Sequence, residues 1–346
     1  MRKSTGAVLA ATLLSCGAVA GVASAAGGPP PPPKAANGST VQQVAAGLHT
    51  PTSFAFGGGN VFEGDGGSEN APRAAGGVYL LKGGQATKLA GSPFFVAGLA
   101  WSKGTLYVSG GNITGPNSAV WQVWAWSGWN GSTFTKQKAI YTAPKKFDGF
   151  NGLAIGANGR LYVGVDVGLT NGNDHGPART PFVYSILSLK TNGTGLKVFA
   201  TGMRQPWQMV FPKGSNSPFV SDLGQDKGAK NPPDFVLRVK QGDNFGFPQC
   251  NWTSAKKCRG FTKPFQQFGP HTDIMGLTII RNRLYMSSFL GAQGKGPGGA
   301  VYSMPLTGGK LKPVLTGFVA PVVGLGSNGG WLYAGSLTGQ VFRVKP

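Results

Sequence analysis

Residues 152–163 read Gly152-Leu153-Ala154-Ile155-Gly156-Ala157-Asn158-Gly159-Arg160-Leu161-Tyr162-Val163. A small apolar stretch runs into a turn and returns as a strand closing on Leu-Tyr, the pattern of a β-hairpin. The same pattern recurs outward in both directions. It spans Phe54 to Phe62, Gly98 to Val108, Gln208 to Val220, Gly276 to Met286 and Gly324 to Ala334, giving six copies. Their aromatic positions are Phe62, Tyr107, Tyr162, Phe219, Tyr285 and Tyr333, separated by 45, 55, 57, 66 and 48 residues. Each interval holds about four short strands, with runs such as Val78-Tyr79-Leu80-Leu81 and Val341-Phe342-Arg343-Val344 as outer ones. Repeats of that size read as an all-β, six-bladed β-propeller with four-stranded blades, because a radial array leaves only short, protected edges.

Composition agrees. Glycine (58) and proline (25) fill about a quarter of the 346 residues, and only 12% are charged. A helical bundle is excluded, since each glycine inside a helix costs about 1 kcal/mol. Disorder is excluded for most of the chain by its 40% hydrophobic and 11% aromatic content.

The N-terminus predicts export. Met1-Arg2-Lys3, an apolar run to Ala20 and Ala23-Ser24-Ala25 make a signal peptide over residues 1–25. Leu13-Leu14-Ser15-Cys16 offers a competing route, lipid anchoring at Cys16. A Gly/Pro-rich linker follows over 26–40, with Pro29 to Pro33 as a stiff spacer. The propeller then runs from 41 to 346, with no stretch that spans a membrane. Cys250 and Cys258 remain in the exported chain and predict a local disulfide. The net charge is +21, or +19 once Arg2 and Lys3 leave with the leader. That excess either favours anionic polymers such as cell-wall polysaccharide or is simply the solvated basic surface of an exported protein, the reading preferred here; no motif specific to nucleic acid accompanies it.

Only 11 residues are acidic. Seven of them (Glu63, Asp65, Glu69, Asp166, Asp174, Asp222 and Asp226) follow a repeat's aromatic within 12 residues, which places them at one mouth of the propeller. Two readings stand: a cation or sugar site, or Asp stabilising tight turns. Trp121, Trp124, Trp126 and Trp129 crowd the second repeat. Strand alternation puts Trp124 and Trp126 on one face without Trp121, and Trp129 falls past a turn after Ser127-Gly128. They serve either sugar stacking or the core.

Residues 200–250 carry the most distinctive motifs: Gly202-Met203-Arg204-Gln205-Pro206, Asp222-Leu223-Gly224-Gln225-Asp226, Pro232-Pro233-Asp234 and Gly242-Asp243-Asn244-Phe245-Gly246-Phe247-Pro248. They resemble the soluble quinoprotein glucose/sorbosone dehydrogenases, as do Phe150 to Gly168, His271 to Leu277 and Gly330 to Pro346. The resemblance implies a six-bladed propeller that oxidises an aldose by passing hydride to pyrroloquinoline quinone (PQQ). It also implies a histidine base and a Ca²⁺ ion that polarises the quinone. Asp148 stands where that histidine is expected, and His175 is the nearest histidine downstream. The resemblance puts Arg204, Gln205 and His271 at the cofactor, with Lys295 near another expected cation. Ala320-Pro321 replaces an expected Arg-Pro. For Ca²⁺ it implies the carbonyls of Gly224 and Gln225 together with Asp234, whose expected acidic neighbour is Phe235.

Three functions stay open. One is an exported PQQ-dependent dehydrogenase acting on a sugar or polyol. Another is a non-catalytic propeller that binds a glycan or polyanion. A scaffold presenting its faces to another protein is a third.

Overall fold

The computed structural model describes residues 30–67, 76–115, 118–168, 178–225, 232–289 and 299–346. The leader and Glu69, Asp174, His175, Asp226 and Lys295 lie outside the described residues. The chain opens with β1 (Lys34–Ala35) and β2 (Gln42–Ala45). Blade 1 is β3 (Pro51–Gly57), β4 (Asn60–Asp65), β5 (Gly77–Lys82) and β6 (Gln85–Lys88). Blade 2 is β7 (Phe95–Ser102), β8 (Thr105–Gly115), β9 (Ser118–Trp129) and β10 (Phe134–Thr142). Blade 3 comprises β11 (Phe150–Ile155), β12 (Leu161–Val165), β13 (Ser185–Leu189) and β14 (Lys197–Thr201). Blade 4 comprises β15 (Pro206–Val210), β16 (Phe219–Asp222), β17 (Asp234–Arg238) and β18 (Gln266–Phe268). Blade 5 has β19 (Ile274–Ile280), β20 (Arg283–Ser288), β21 (Ala300–Pro305) and β22 (Lys312–Thr316). Blade 6 has β23 (Val322–Asn328), β24 (Trp331–Ser336) and β25 (Val341–Val344).

Every sheet is an antiparallel meander, and the N-terminus closes the ring. Strand β2 is the fourth strand of blade 6, with Gln42 opposite Arg343 and Gln43 opposite Phe342. Strand β1 adds a fifth to blade 5 by pairing Lys34 with Thr316. It lies within the stretch the sequence reads as linker. The outermost strands of blades 5 and 6 are thus contributed by residues that precede every repeat. That couples the two ends of the chain and covers the edges of β22 and β25.

The six repeat aromatics all fall on the second strand of a blade, and all are buried. Each packs into the apolar cluster shared with the next blade. Phe62 stacks on Trp101 of blade 2 at 5.6 Å, Tyr162 meets Phe211 of blade 4 at 4.9 Å, and Tyr333 meets Phe56 of blade 1 at 5.0 Å. The core is therefore a ring of inter-blade layers rather than one central mass.

The tryptophans belong to this core. Trp124 and Trp126 pack between blades 1 and 2, while Trp121 packs toward blade 3. Trp129 is not past a turn, as the sequence suggested. It ends β9 opposite Phe134, because Gly128 takes a left-handed φ of 70° and lets the strand kink without stopping.

The inner strands β3, β7, β11, β15, β19 and β23 line the channel, and each carries a β-bulge at the same place. A bulge unpairs one residue of the ladder and frees its carbonyl. Side chains supply the missing donors. Ser109 Oγ donates to the Asn151 carbonyl of the next blade at 2.8 Å, and Ser221 Oγ to that of Met275 at 2.7 Å. Gln208 serves two at once: its Nε2 donates to the carbonyls of Thr52 in blade 1 (3.0 Å) and Ala97 in blade 2 (2.9 Å). It reaches across from blade 4 and closes the channel at that level. The inner strands meet closely enough that a Cβ on Gly276 would lie 2.5 Å from the Leu325 nitrogen.

The second strands all run toward one face, called the mouth below; the opposite face carries the first-to-second and third-to-fourth strand turns. At the mouth, Trp207, Met275 and Val323 from the bulges of blades 4 to 6 pack with Leu223, Phe289 and Leu337, which follow β16, β20 and β24. An apolar plug thus fills that side of the channel entrance. Gln208→Leu should lower stability by roughly 2 kcal/mol or more, since two buried carbonyls lose their donor. Urea unfolding checks it. A loss below roughly half a kcal/mol would show that the channel carbonyls are served by water instead.

Candidate functional site

Three acids close second strands at the mouth, and their carboxylates turn inward to backbone N–H groups. Asp65 accepts from His49 (2.7 Å), Thr50 (3.2 Å) and Gly67 (2.6 Å). Asp166 accepts from Gly168 at 2.7 Å. Asp222 accepts from Gln205 at 2.7 Å and Arg204 at 3.3 Å. In each blade the carboxylate ties the end of the second strand to nearby loop or strand-entry amides, so these acids hold the blade's mouth in shape. Of the two sequence readings, these three acids follow the turn-stabilising one.

A polar chain links blade 3 to blade 5. Gln205 Nε2 reaches Asp166 at 3.4 Å, and Arg204 Nη1 donates to Gln205 Oε1 at 3.2 Å and to the Gly224 carbonyl at 2.7 Å. Asp234 continues it, accepting from the Gly224 N–H at 2.7 Å and from the Asp273 N–H at 2.8 Å. Arg204, Gln205 and Asp234 are all buried. Asp148 is half-buried at the start of this chain, close enough to raise the pKa of Asp166 by charge repulsion. His271 is half-buried at the other end, in a left-handed turn with φ 58° that leads into Thr272 and Asp273. The structure thus brings Asp148, Arg204, Gln205, Gly224, Asp234 and His271 to one arc of the mouth, and most of them act on one another.

Those bonds decide the fit of the groups that the resemblance implies. A calcium site needs about six to eight oxygens free to face the ion. Here the Gly224 carbonyl faces the Arg204 guanidinium, and each Asp234 oxygen accepts a backbone N–H. Position 235 is a buried Phe in an apolar cluster. Among the described residues, no three His, Cys, Asp or Glu gather as a metal-holding group. Calcium does not fit this donor set. Among the described residues the cations expected at the quinone are also altered: Arg204 is buried and bonds Gln205 and the Gly224 carbonyl, and the position expected to carry a second arginine is a buried Ala320.

Beside this chain a small cleft of about 20 Å³, room for about one water, opens between β16–β17 and the segment 244–264. It is lined by Arg204, Gly224, Gln225, Phe245, Phe247 and Trp252 among others. The Cys250–Cys258 disulfide, with Cα atoms 5.2 Å apart, staples the outer wall. Trp252 is fixed by an Nε1 bond to the Phe245 carbonyl at 2.8 Å.

Sequence reasoning missed Gln208, the apolar plug and the role of Glu63. Gln208 had a signal: it stands where four other repeats carry Gly98, Gly152, Gly276 and Gly324. Glu63 lies fully buried in β4, and among the described residues neither carboxylate oxygen has a hydrogen-bond partner. Burial, then the charge of Asp65, pushes its pKa well above the usual carboxylate value.

Among solved structures, the chain resembles a putative oxidoreductase (glucose dehydrogenase) from Thermus thermophilus. The two share 18% identity and a TM-score of 0.69, over 89% of this chain and 100% of that one. It also resembles the PQQ-bound form of aldose sugar dehydrogenase from Streptomyces coelicolor, at 18% identity and TM-score 0.65, over 91% and 99%. A gluconolactonase from Xanthomonas campestris matches more loosely, at 13% identity and TM-score 0.54, over 91% and 94%. These likenesses establish the fold. No protein-family model and no curated protein matches the sequence.

Burial raises the pKa of Asp166 to about 6 and that of Asp222 to about 7, with Arg204 and backbone N–H bonds pulling both down. Both folded values exceed the ordinary 3.8, so the folded state binds more protons between them. The stability this confers is present below the ordinary value and is lost as pH rises through about 6 and 7. Unfolding free energy should therefore fall from about pH 5 to about pH 8, and Asp222→Asn should flatten that slope. An unchanged slope would show that Asp222 stays ionised throughout. Glu63→Met should raise the melting temperature, more at about pH 9 than at about pH 5, because the cost of ionising Glu63 grows with pH. A drop at both pH values would mean that Glu63 has a partner in solution.

Proposed function

We propose that this chain is an exported sugar-recognising propeller on the aldose-dehydrogenase fold, whose ligand is an anionic glycan. One observation carries the proposal: Gln205, Arg204, Gly224 and Asp234, the residues at the family's calcium and cofactor positions, bond one another, and Gln205 bonds Asp166. A site that satisfies itself holds the mouth rigid and leaves little to grip a metal or a quinone. The charge distribution supports the ligand class. Every described acid is buried or half-buried, while lysines and arginines dominate the exposed charge. The leader sequence and the disulfide suit an oxidising compartment outside the cytoplasm, where such polymers occur.

A second reading, sugar oxidation, is favoured by Asp148. It stands where the resemblance expects the base, it is half-buried at the mouth, and a PQQ-bound aldose dehydrogenase shares the fold. Asp148 neighbours Asp166, and their mutual repulsion favours holding a proton between them.

Melting temperature separates the two. Polygalacturonate should raise it, and PQQ with Ca²⁺ should leave it within about 1 °C. Ligand at about a hundredfold its dissociation constant adds about 2.7 kcal/mol to the native state, a shift too large to miss. A clear Ca²⁺-dependent rise with PQQ would overturn the binding reading and call for dye-reduction assays with Asp148→Ala.

A further inference from the structure

We infer that the anionic glycan docks on the turn face, opposite the mouth, across a set of cations contributed by all six blades. This rests on the glycan reading above and assigns it a surface. Third-to-fourth strand turns place exposed Lys82, Lys190, Lys240 and Lys310 on the outer part of this face, in blades 1, 3, 4 and 5. Lys345 joins them at the end of β25 in blade 6. First-to-second strand turns place exposed Lys103, Lys213 and Arg281 nearer the axis, in blades 2, 4 and 5.

The acids are distributed the other way. Asp65, Asp148, Asp166, Asp222, Asp234 and Asp273 all lie at the mouth end of their blades, while Glu63 is buried within β4. Of the described acids, only Asp243 lies among the turns of the cationic face. It is half-buried and accepts from the Lys240 N–H at 2.7 Å and from Thr262 Oγ1 at 3.3 Å. The mouth also carries cations, but its acids oppose them; on the turn face almost nothing does. Exposed cations thus recur in all six blades of this face, a spread that suits an extended polymer of negative charge more than a compact anion. Trp331 adds local order on the same face. Arg343 and Lys345 lie over its ring at 4.6 Å and 5.0 Å from the centroid, a cation–π arrangement that holds both charges in place.

The test uses the purified full-length protein with polygalacturonate, dextran sulfate, neutral dextran and a thirty-nucleotide single-stranded DNA as probes. Two triple variants remove equal charge. One is Lys82→Ser, Lys213→Ser and Lys310→Ser on the turn face; the other is Lys145→Ser, Lys146→Ser and Lys256→Ser elsewhere. Melting curves establish that both fold. The expected result is wild-type binding to both anionic polysaccharides that weakens steeply with salt. The turn-face variant should lose at least about tenfold in affinity, with a shallower salt slope, and the other variant less than about twofold. Equal losses in the two variants would overturn the assignment to this face while leaving glycan binding intact. No binding by the wild type would overturn the glycan reading itself. Tighter binding to the DNA than to either polysaccharide would replace the glycan with a nucleic acid, and equal binding to neutral dextran would remove charge from the account.

Discussion

The fold depends on how a propeller satisfies the carbonyls that its inner strands cannot pair. Six inner strands bend around the channel, each by means of a bulge, and every bulge leaves polar backbone unpaired in its own ladder. Buried carbonyls without donors each cost about 1–3 kcal/mol, so the ring is stable only where donors are supplied. Serine hydroxyls from adjacent second strands do this at Asn151 and Met275. Gln208 does it twice from the far side of the channel. Small residues at the remaining inner positions follow from the same geometry, because a Cβ on Gly276 or Gly324 would press on the backbone of the next blade.

The same logic extends to the mouth. Second strands end at the mouth, where backbone entering the first strand or leaving the second carries unpaired N–H groups. Asp65, Asp166 and Asp222 accept them. Asp234 does the same for Gly224 and Asp273, joining blade 4 to blade 5. Carboxylates are strong acceptors and survive burial when several N–H groups share the charge. The raised pKa values of Asp166 and Asp222 show that desolvation still outweighs the bonds they receive.

Most of the architecture was legible in the sequence because the repeat is a local pattern. A hairpin with an aromatic on its second strand announces itself wherever it falls, and six aromatics at blade-length spacing require a ring. Strand alternation also sorted Trp124 and Trp126 from Trp121 correctly, since period two holds in any strand. It failed at Trp129, where Gly128 reads as a stop but only kinks β9. The site was less legible for a physical reason. Motif position identifies Arg204, Gly224 and Asp234, but whether an arginine faces a ligand or a carbonyl depends on side-chain direction, which spacing does not encode. Gln208 shows the limit most clearly: its partners are 111 and 156 residues away in sequence.

The use of acids as internal acceptors has an electrostatic consequence for the exterior. Eleven acids among 346 residues are few, and the described ones are buried or half-buried, mostly at one end of the molecule. Each carboxylate turned inward is a negative charge withdrawn from the surface, so the exterior is more cationic than the net charge alone suggests. The withdrawal is uneven, because the N–H groups needing acceptors occur where second strands end, at the mouth. The hairpin turns of the opposite face close on themselves through left-handed glycines such as Gly104, Gly214 and Gly330, and these turns need no carboxylate. A cationic disc opposite the mouth is therefore tied to how this propeller resolves its backbone hydrogen bonding. Any anionic polymer that meets the protein does so against a field that the fold itself arranges.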